Sequence, residues 1–500
     1  MRKGPKPTFP APIYAETVLT PNFVESQRFF FEPLMELHAA HGLMLYRQRI
    51  LRKEEAAALL RGLGRLDREK ILQSRYDGSV EDLFFFIERE LAQEVGEELA
   101  GRLHIARSRN DIDVTLYRMQ LRREVLSLTE AIENLRGVLH DLAKRHLRTV
   151  MPAHTHTQPA QPTTLAHYLS AAIEFLTRDL RRLRAAFAAI NQNPLGACAI
   201  TTTGFPIDRE RTMELLGFEG LVENSYYAIG GIDYLLEAMG VIATSMVSLG
   251  KLTQDLLLWA TQEVAFLTLH DGFVQGSSIM PQKRNPVALE HARILLSKGF
   301  AQAQAVMTSV HNTPFGDIND VEDDLQPLIR STFDDARRGV RLLAGAVEAI
   351  ELDVAALREK AKGSFLTMTE LADTLTREEG LSFKMAHRLV GGTARRLGRV
   401  DVSHEEIVAA LCLVAEEVLG QPLQTTRERL IEALCPLHFV KVRNGIGGPA
   451  PDQVAAFLGR TREAAAEDQR WLRQKRALLE GYPRKIAREV ARLTSAQPGS

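Results

Sequence analysis

The 500-residue sequence has only three cysteines, two tryptophans and 6% aromatic residues. Cys198, Cys412 and Cys435 lie far apart and are odd in number, so neither a disulfide framework nor a zinc knuckle is supported. No run of about eighteen apolar residues occurs, and prolines interrupt the N-terminus where a signal peptide needs an apolar segment. We therefore expect a cytoplasmic protein with no membrane partner.

The chain also lacks an excess of charge of either sign. Its 62 Lys and Arg residues balance 63 Asp and Glu residues, for a net charge of -1. Such a chain has no long-range attraction for nucleic acids, so we expect no nucleic-acid partner. GxGxxG and P-loop motifs are absent too, which argues against nucleotide binding.

What the chain does have is length and apolar content. Hydrophobic residues make up 45% and charged residues 25%, as in ordinary globular proteins. The chain of 500 residues is longer than a chain that folds around one hydrophobic core usually is. We expect three regions. They are an N-terminal domain with an extended proline-rich arm (1–111), a central bundle of long helices (112–362) and a small helical C-terminal domain (363–500).

Three apolar stripes recur at alternating spacings of three and four residues, which is typical of helices buried on one face. Their members are Val125, Leu128, Ile132, Leu135, Leu139 and Leu142; Leu165, Leu169, Ile173, Leu176, Leu180, Leu183, Phe187 and Ile190; and Leu235, Met239, Ile242, Met246, Leu249, Thr253 and Leu256. No alternating strand pattern is found. The predicted fold class is therefore all-α, a long central helical bundle flanked by smaller helical domains.

The first of three polar clusters is residues 104–111, just before the first stripe. Arg107 and Arg109 could clamp a carboxylate, and Asn110 could add an amide donor. The alternative is a helix N-terminus in which Asn110 or Asp111 is the N-cap and the arginines are solvated.

The second cluster, residues 151–162, lies between two stripes and is rich in proline. Its imidazoles could move protons, and Thr155, Thr157 and Gln158 could orient substrate oxygens. A His-x-His pair can hold zinc, but no third Cys or His ligand is near, so we expect no metal. A connecting loop rich in turn-forming residues is the alternative.

The third cluster is residues 276–286, with the sequence GSSIMPQKRNP. Gly272 and Gly276 would allow this segment to act as a mobile flap. Its hydroxyl groups, Lys283 and Asn285 place donors where an anion could bind, near the predicted start of a helix. The alternative is a flexible surface loop.

These clusters resemble the fumarase/aspartase superfamily and, within it, the argininosuccinate lyase family. GSSIMPQKRNP is similar to the superfamily's signature loop, ARSRND (106–111) to its first characteristic region and MPAHTHTQPAQP to its second. The resemblance implies a fumarase/aspartase-like fold with a 20-helix core in a homotetramer. It also implies that each active site is shared by three subunits, that the partner is a small dicarboxylate substrate, and that no cofactor is needed.

The resemblance further implies an elimination that releases fumarate. Ser277 would be the base, acting as an alkoxide when the flap closes, and Ser278 would assist. Lys283 and Asn285 would hold the carboxylate whose negative charge increases during the reaction, because such a carbon acid needs preorganised donors.

The second cluster would supply the acid. His156 would act as an acid or proton relay, and Glu290 would pair with it and favour its charged form. The resemblance assigns four further residues to substrate binding, namely Arg109, Asn110, Thr155 and Gln158.

The chain departs from the argininosuccinate lyase pattern around the arginine half of that family's substrate. Where that family has an acidic residue, this chain has Tyr227, and where the family has an arginine, this chain has Ile232. In a second segment, the family's tyrosine, glutamine and lysine are replaced in this chain by Asp317, Glu322 and Leu325. Since a buried polar group without its partner costs about 1–3 kcal/mol, such replacements should shift substrate choice.

We therefore expect a carbon–nitrogen lyase that cleaves an N-substituted aspartate whose amine half is unlike arginine. An aminopolycarboxylate such as ethylenediamine-N,N'-disuccinate (EDDS) fits this class, and the chain resembles the EDDS lyase branch in this respect. Argininosuccinate lyase activity is the alternative. A further alternative is a non-catalytic protein, like the lens crystallins of the family.

Overall fold

The computed structural model describes residues 9–363 and 365–495. Its N-terminal helices are α1 (Pro12–Tyr14), α2 (Thr20–Phe29), α3 (Phe31–Arg47), α4 (Lys53–Arg65), α5 (Arg68–Gln73), α6 (Leu83–Val95) and α7 (Glu97–Arg102), with a π-helical segment Ala15–Leu19 after α1. The predicted extended arm is wrong from Pro12 onward, and its residues 1–8 lie outside the described residues. Pro12 and Pro21 occupy first-turn positions of helices, where the missing proline N–H is not needed.

Long helices form the centre of the molecule. They are α8 (Arg109–Arg145), α9 (Leu165–Ile190), α12 (Asp233–Trp259), α13 (Val287–Ser309) and α14 (Gln326–Glu348), with the short helices α10 (Arg209–Leu215) and α11 (Ser225–Gly230) before α12. α8 packs against α9 and α14, and α13 packs between α12 and α14. Every member of the three predicted stripes is at most 4% exposed, in α8, α9 and α12. The predicted all-α bundle is confirmed.

Among the described helices, α12 alone is long and apolar enough to cross a membrane, as judged by length and composition. The mean hydropathy of its most apolar window is 1.4, and half of that window is buried inside the protein. α12 packs against α9 and α13, so it has the properties of a core helix.

Eight short strands occur in the described part of the chain, where the sequence predicted none. They are β1 (Val150–Thr155), β2 (Gln158–Thr164), β3 (Gln192–Asn193), β4 (Gly220–Leu221), β5 (Leu267–Leu269), β6 (Gln275–Gly276), β7 (Arg284–Asn285) and β8 (Ile350–Leu352). The pairs β1–β2, β5–β8 and β6–β7 are antiparallel, and β3–β4 is parallel. Prolines in β1 and β2 hid the strand signal, but a two-stranded ribbon has two free edges and tolerates proline there.

The C-terminal region contributes to two cores. Its helices are α15 (Val354–Lys362), α16 (Met368–Glu378), α17 (Phe383–Leu397), α18 (His404–Leu419), α19 (Arg427–Ala433), α20 (Pro436–Val442) and α21 (Pro451–Ser495). A separate cluster of buried apolar side chains extends from Leu371 to Leu434. α21 instead packs against α8 and α9 and adds to the main core.

Candidate functional site

The third polar cluster is the hairpin loop between β6 and β7, and α13 begins two residues after β7. Ser277 lies directly after β6. Its Oγ accepts hydrogen bonds from the backbone N–H groups of Ile279 at 3.3 Å and Met280 at 3.1 Å. The hydroxyl thus stabilises a turn within its own loop, and the predicted helix start near Val287 is confirmed.

The other candidate residues of this loop and of the first turn of α13 are accessible in one chain. Ser278, Lys283 and Glu290 are exposed, and Asn285 is half-buried. Arg284 holds the base of the loop, because its guanidinium donates to the Leu269 carbonyl at 2.9 Å and forms an ion pair with Asp271. The loop is therefore fixed at its base and accessible along its length.

The second polar cluster forms the hairpin of β1 and β2, and His156 lies at its tip. His156 and Thr157 have φ values of 51° and 62°, both in the left-handed region that two-residue hairpin turns of type I′ require. Thr155 is paired with Gln158 across the hairpin. All four residues are exposed, so the hairpin presents the imidazole away from its own chain.

The first polar cluster forms the N-terminus of α8, as the alternative interpretation of this cluster predicted, but the N-cap is neither Asn110 nor Asp111. The N-cap is Ser108, whose Oγ accepts from the Asn110 N–H at 3.4 Å. Asp111 completes the capping box, since its Oδ1 accepts from the Ser108 N–H at 2.9 Å. Its Oδ2 accepts from the N–H groups of Gly196 and Cys198 at 2.8 and 2.9 Å. Burial raises the pKa of Asp111 to about 6.

The arginines of this cluster are not solvated. Arg109 forms ion pairs with Asp82 and, at 2.8 Å, with Asp113. Arg107 is 7% exposed, and its guanidinium lies 2.8 Å from His38 Nδ1. The side-chain amide of Asn110 donates to the Ala199 carbonyl at 3.0 Å. In one chain, therefore, the guanidinium of Arg109 is already paired with carboxylates.

A small cavity lies beside Asn110. Its lining comprises Asn110, Asp113, Val114, Tyr117, Ile229, Gly230, Gly231, Ile232, Tyr234, Asp317, Val321 and Glu322. Three of these, Ile232, Asp317 and Glu322, are positions at which the sequence departs from the argininosuccinate lyase pattern. The structure thus places these three replaced positions around Asn110, a residue of the first polar cluster.

The carboxyl groups that line this cavity lie close together: Asp113 and Glu322 are half-buried, and Asp317 is exposed. Burial, and then the neighbouring charge of Asp317, raise the pKa of Glu322 to about 8. Burial also raises the pKa of Asp113 to about 7, although the charge of Arg109 opposes this shift. Asp323, which accepts a hydrogen bond from the Tyr117 hydroxyl at 2.7 Å, adds negative charge to both.

Sequence reasoning did not single out Asp113, Tyr117 or Tyr234 in this cavity. Asp113 carried a usable signal, because it follows Arg109 by four residues, the spacing at which side chains meet on a helix. The two tyrosines carried none, since an aromatic residue within an apolar helix is usually core.

The three polar clusters remain separate in one chain. Across residues 9–363 and 365–495, no hydrogen bond or ion pair joins the loop 276–286, the tip of the β1–β2 hairpin and the N-terminus of α8. His156 and Glu290 in particular do not meet. Large apolar side chains are exposed on or near the elements that carry the loop, namely Ile279 (82%), Ile294 (54%) and Leu258 (50%).

Comparison with known proteins agrees with the fold. A model of a lyase family matches residues 49–299. Argininosuccinate lyase 2 of Agrobacterium fabrum is 41% identical over 476 residues, which cover 94% of each chain.

Two solved structures extend this comparison. A structure of EDDS lyase in complex with formate has a TM-score of 0.85 and 31% identity, and covers 97% of this chain and 96% of that one. A class II fumarase from Schistosoma mansoni, at 16% identity and a TM-score of 0.65, covers 84% of this chain and 91% of its own, and shares the fold. The chain therefore belongs to this lyase family, alongside the argininosuccinate lyases, and is a carbon–nitrogen lyase.

Proposed function

We propose that this lyase cleaves an N-substituted aspartate, that is, an N-succinyl amine, to fumarate and an amine. The reaction takes place in the cytoplasm. The likeness to argininosuccinate lyase 2 and to EDDS lyase over nearly the whole chain supports this reaction type, because both names are those of lyases and both named compounds carry a succinyl group on nitrogen.

In the proposed mechanism, the Ser277 alkoxide removes a proton from the carbon beside a carboxylate of the succinyl group. The electron pair moves first onto that carboxylate, where Lys283 and Asn285 stabilise the added negative charge. It then forms the double bond of fumarate while the carbon–nitrogen bond breaks, and His156, oriented by Glu290, donates a proton to the departing nitrogen. Preorganised donors are needed because the carbon acid is very weak in water.

Ser277 requires one rearrangement before it can act as a base. In the present conformation its Oγ accepts two backbone hydrogen bonds, which stabilise negative charge on that oxygen and hold it within the loop. Movement of the loop against another part of the site would bring Ser277 to the substrate, as in other enzymes whose loops close over the reactants. Ser278, the neighbouring hydroxyl, assists.

The observation that carries the choice of substrate is the cavity beside Asn110. Asn110 and Arg109 serve the succinyl end, with Thr155 and Gln158 from the hairpin. Ile232, Asp317 and Glu322 line the same cavity and cannot make the contacts of the side chains that they replace. The amine half is therefore unlike arginine.

The site is proposed to form in a homotetramer, with each active site shared by three subunits. The separation of the three clusters within one chain supports this arrangement, since the chemistry needs Ser277, His156 and Asn110 around one substrate. The exposed apolar side chains Ile279 and Ile294 also support it, because assembly would cover them.

A panel of N-succinyl amines, including EDDS and argininosuccinate, tests this function. The purified protein is incubated with each compound, and fumarate is followed by its absorbance. We expect fumarate from at least one compound other than argininosuccinate, and no fumarate from any compound would contradict the proposal.

Argininosuccinate lyase activity is the second candidate, and the 41% identity to argininosuccinate lyase 2 favours it. Expression of the chain in an arginine auxotroph that lacks this enzyme distinguishes the two candidates. Growth without arginine supports argininosuccinate lyase activity, whereas no growth, together with fumarate from another N-succinyl amine, supports our proposal.

A further inference from the structure

The β1–β2 hairpin, whose tip carries His156, is supported by the C-terminal region of its own chain. β1 packs against α15 and α20, and β2 packs against α20. Val150 of β1, Ala361 of α15 and Val440 of α20 form a small buried apolar cluster apart from the main core. Because apolar contacts have no preferred direction, this cluster holds the base of the hairpin without fixing its orientation.

His167 makes a directional connection between the hairpin and the C-terminal region. It is the third residue of α9, which begins directly after β2. Its Nδ1 lies 2.8 Å from the Thr163 hydroxyl in β2, and its Nε2 lies 2.9 Å from the Gly447 carbonyl oxygen, between α20 and α21. Since a carbonyl oxygen only accepts, Nε2 carries the proton of the neutral ring and Nδ1 accepts from Thr163. Both ring nitrogens are therefore used within the protein.

The segment that His167 contacts is itself held by a buried carboxylate. Arg443, four residues before Gly447, donates to Glu370 Oε2 at 2.8 Å. Glu370 is 1% exposed and also forms an ion pair with Arg377, so its charge is compensated by two guanidinium groups. The segment 443–450 is thus fixed to the start of α16, where the separate C-terminal core begins.

The hairpin has a second connection to the same place. The side-chain amide of Gln161 in β2 donates to the hydroxyl of Thr369 at 3.1 Å, and Thr369 directly precedes Glu370. The start of α16 therefore reaches β2 twice, once directly and once through the segment 443–450 and His167.

On the basis of the proposed function, in which His156 donates the proton to the departing nitrogen, we infer that His167 is a positioning residue for His156. Through His167, the C-terminal region sets the direction in which the hairpin presents the imidazole. A displacement of about 1 Å of a catalytic group can reduce the rate about a hundredfold, so the bonds at the base of a two-stranded hairpin affect the reaction at its tip. Because these bonds hold the hairpin, their loss should lower kcat more than it raises KM.

His167→Phe removes both hydrogen bonds and keeps an aromatic ring. We expect kcat for the best N-succinyl amine of the panel to fall about tenfold, with KM changed less than about twofold. His167→Gln, whose amide can still donate to the Gly447 carbonyl, should recover most of this activity. Thr163→Val removes only the bond to Nδ1 and should lower kcat in the same way, which provides a second variant if His167→Phe folds poorly.

His140→Phe is the matched control. His140 is also a half-buried helical histidine, and its Nε2 lies 3.0 Å from the Leu458 carbonyl oxygen of α21. The control therefore loses a comparable bond between a central helix and the C-terminal region, but one that does not involve the hairpin. Its melting temperature should fall by about as much as that of His167→Phe, while its kcat remains at the wild-type value.

A double variant shows whether His167 acts through His156. Residues that act as a unit do not lose activity additively. In the His156→Asn background, His167→Phe should therefore leave the remaining kcat unchanged. The inference is wrong if His167→Phe keeps the wild-type kcat, if it loses the same factor in the His156→Asn background, or if His140→Phe loses as much activity.

Failure of the proposed function would look different. If the wild type releases no fumarate from any N-succinyl amine, the function itself is wrong. If His156→Asn keeps the wild-type kcat, the lyase function stands and the proposed acid is wrong. In both cases the inference about His167 falls with them, whereas the three outcomes above leave the function and its acid in place.

Discussion

The buried carboxylate of Asp111 accepts a hydrogen bond at 2.8 Å from the backbone N–H of Gly196, 85 residues further along the chain. The same oxygen also accepts from Cys198, while the second oxygen caps α8 through Ser108. One side chain thus fixes the loop after β3 against the helix end that carries Asn110, whose own amide reaches the Ala199 carbonyl. The position of Asn110 depends on this junction.

Asp111→Asn should therefore destabilise the protein. The amide keeps one oxygen but brings an NH₂ group toward backbone donors, so we expect the free energy of unfolding to fall by about 1–3 kcal/mol. Thermal unfolding followed by circular dichroism measures this change. Asp141→Asn on the exposed face of α8 is the control, because its side chain is 79% exposed and its loss should leave the midpoint unchanged. Equal midpoints for both variants would show that the junction does not contribute to stability.

The carboxyl group of Glu322 should make stability depend on pH. Its folded-state pKa, about 8, lies above the value of an exposed glutamate, so the folded protein binds the proton more tightly than the unfolded chain. The free energy of unfolding should then fall as the pH rises from about 5 to about 8, because the unfolded chain has released this proton while the folded protein still holds it beside Asp317, Asp113 and Asp323.

Glu322→Gln should remove this loss of stability at high pH, because glutamine resembles the protonated glutamic acid and can still donate to Asp317. We expect the variant to be more stable than the wild type by about 1–2 kcal/mol at pH 9 and to show little difference near pH 5. Melting temperatures across this range give the comparison. A variant that is less stable than the wild type at high pH would mean that Glu322 is ionised and well stabilised in the folded protein.

A shared site predicts complementation between two inactive variants. Ser277→Ala and His156→Asn are coexpressed with different tags, and the mixed oligomers are purified through both. If each site takes these groups from different subunits, random mixing restores both in about a quarter of the sites, and activity should recover to about a quarter of the wild-type level. Two differently tagged Ser277→Ala chains are the control and should remain inactive. Mixed oligomers that are as inactive as their components would argue for a site within one chain.

The same assembly has a mass that can be measured directly. Light scattering of the purified protein should give about four times the 55.8 kDa mass of one chain. A monomer that retains full activity would be incompatible with the shared site.

The helical core could be predicted from the sequence because each stripe is a local pattern. Leu128, Ile173 and Leu249 each repeat with near neighbours, and all are buried as expected. The hairpin that presents His156 was missed because its prolines obscure the alternation of a strand and its turn contains no glycine. The acidic cavity could not be predicted either, since it joins Asp113 to residues that lie 204 and more positions further along the chain, Asp317 and Glu322.

The central claim is that Ser277 removes the proton that starts the elimination. The direct measurement is fumarate release from the best N-succinyl amine of the panel by Ser277→Ala, with Ser297→Ala as the control, because Ser297 is exposed on α13 and only bonds the Arg293 carbonyl. We predict that kcat falls by about a thousandfold or more in Ser277→Ala and is unchanged in Ser297→Ala. Turnover by Ser277→Ala at the wild-type rate would contradict the account.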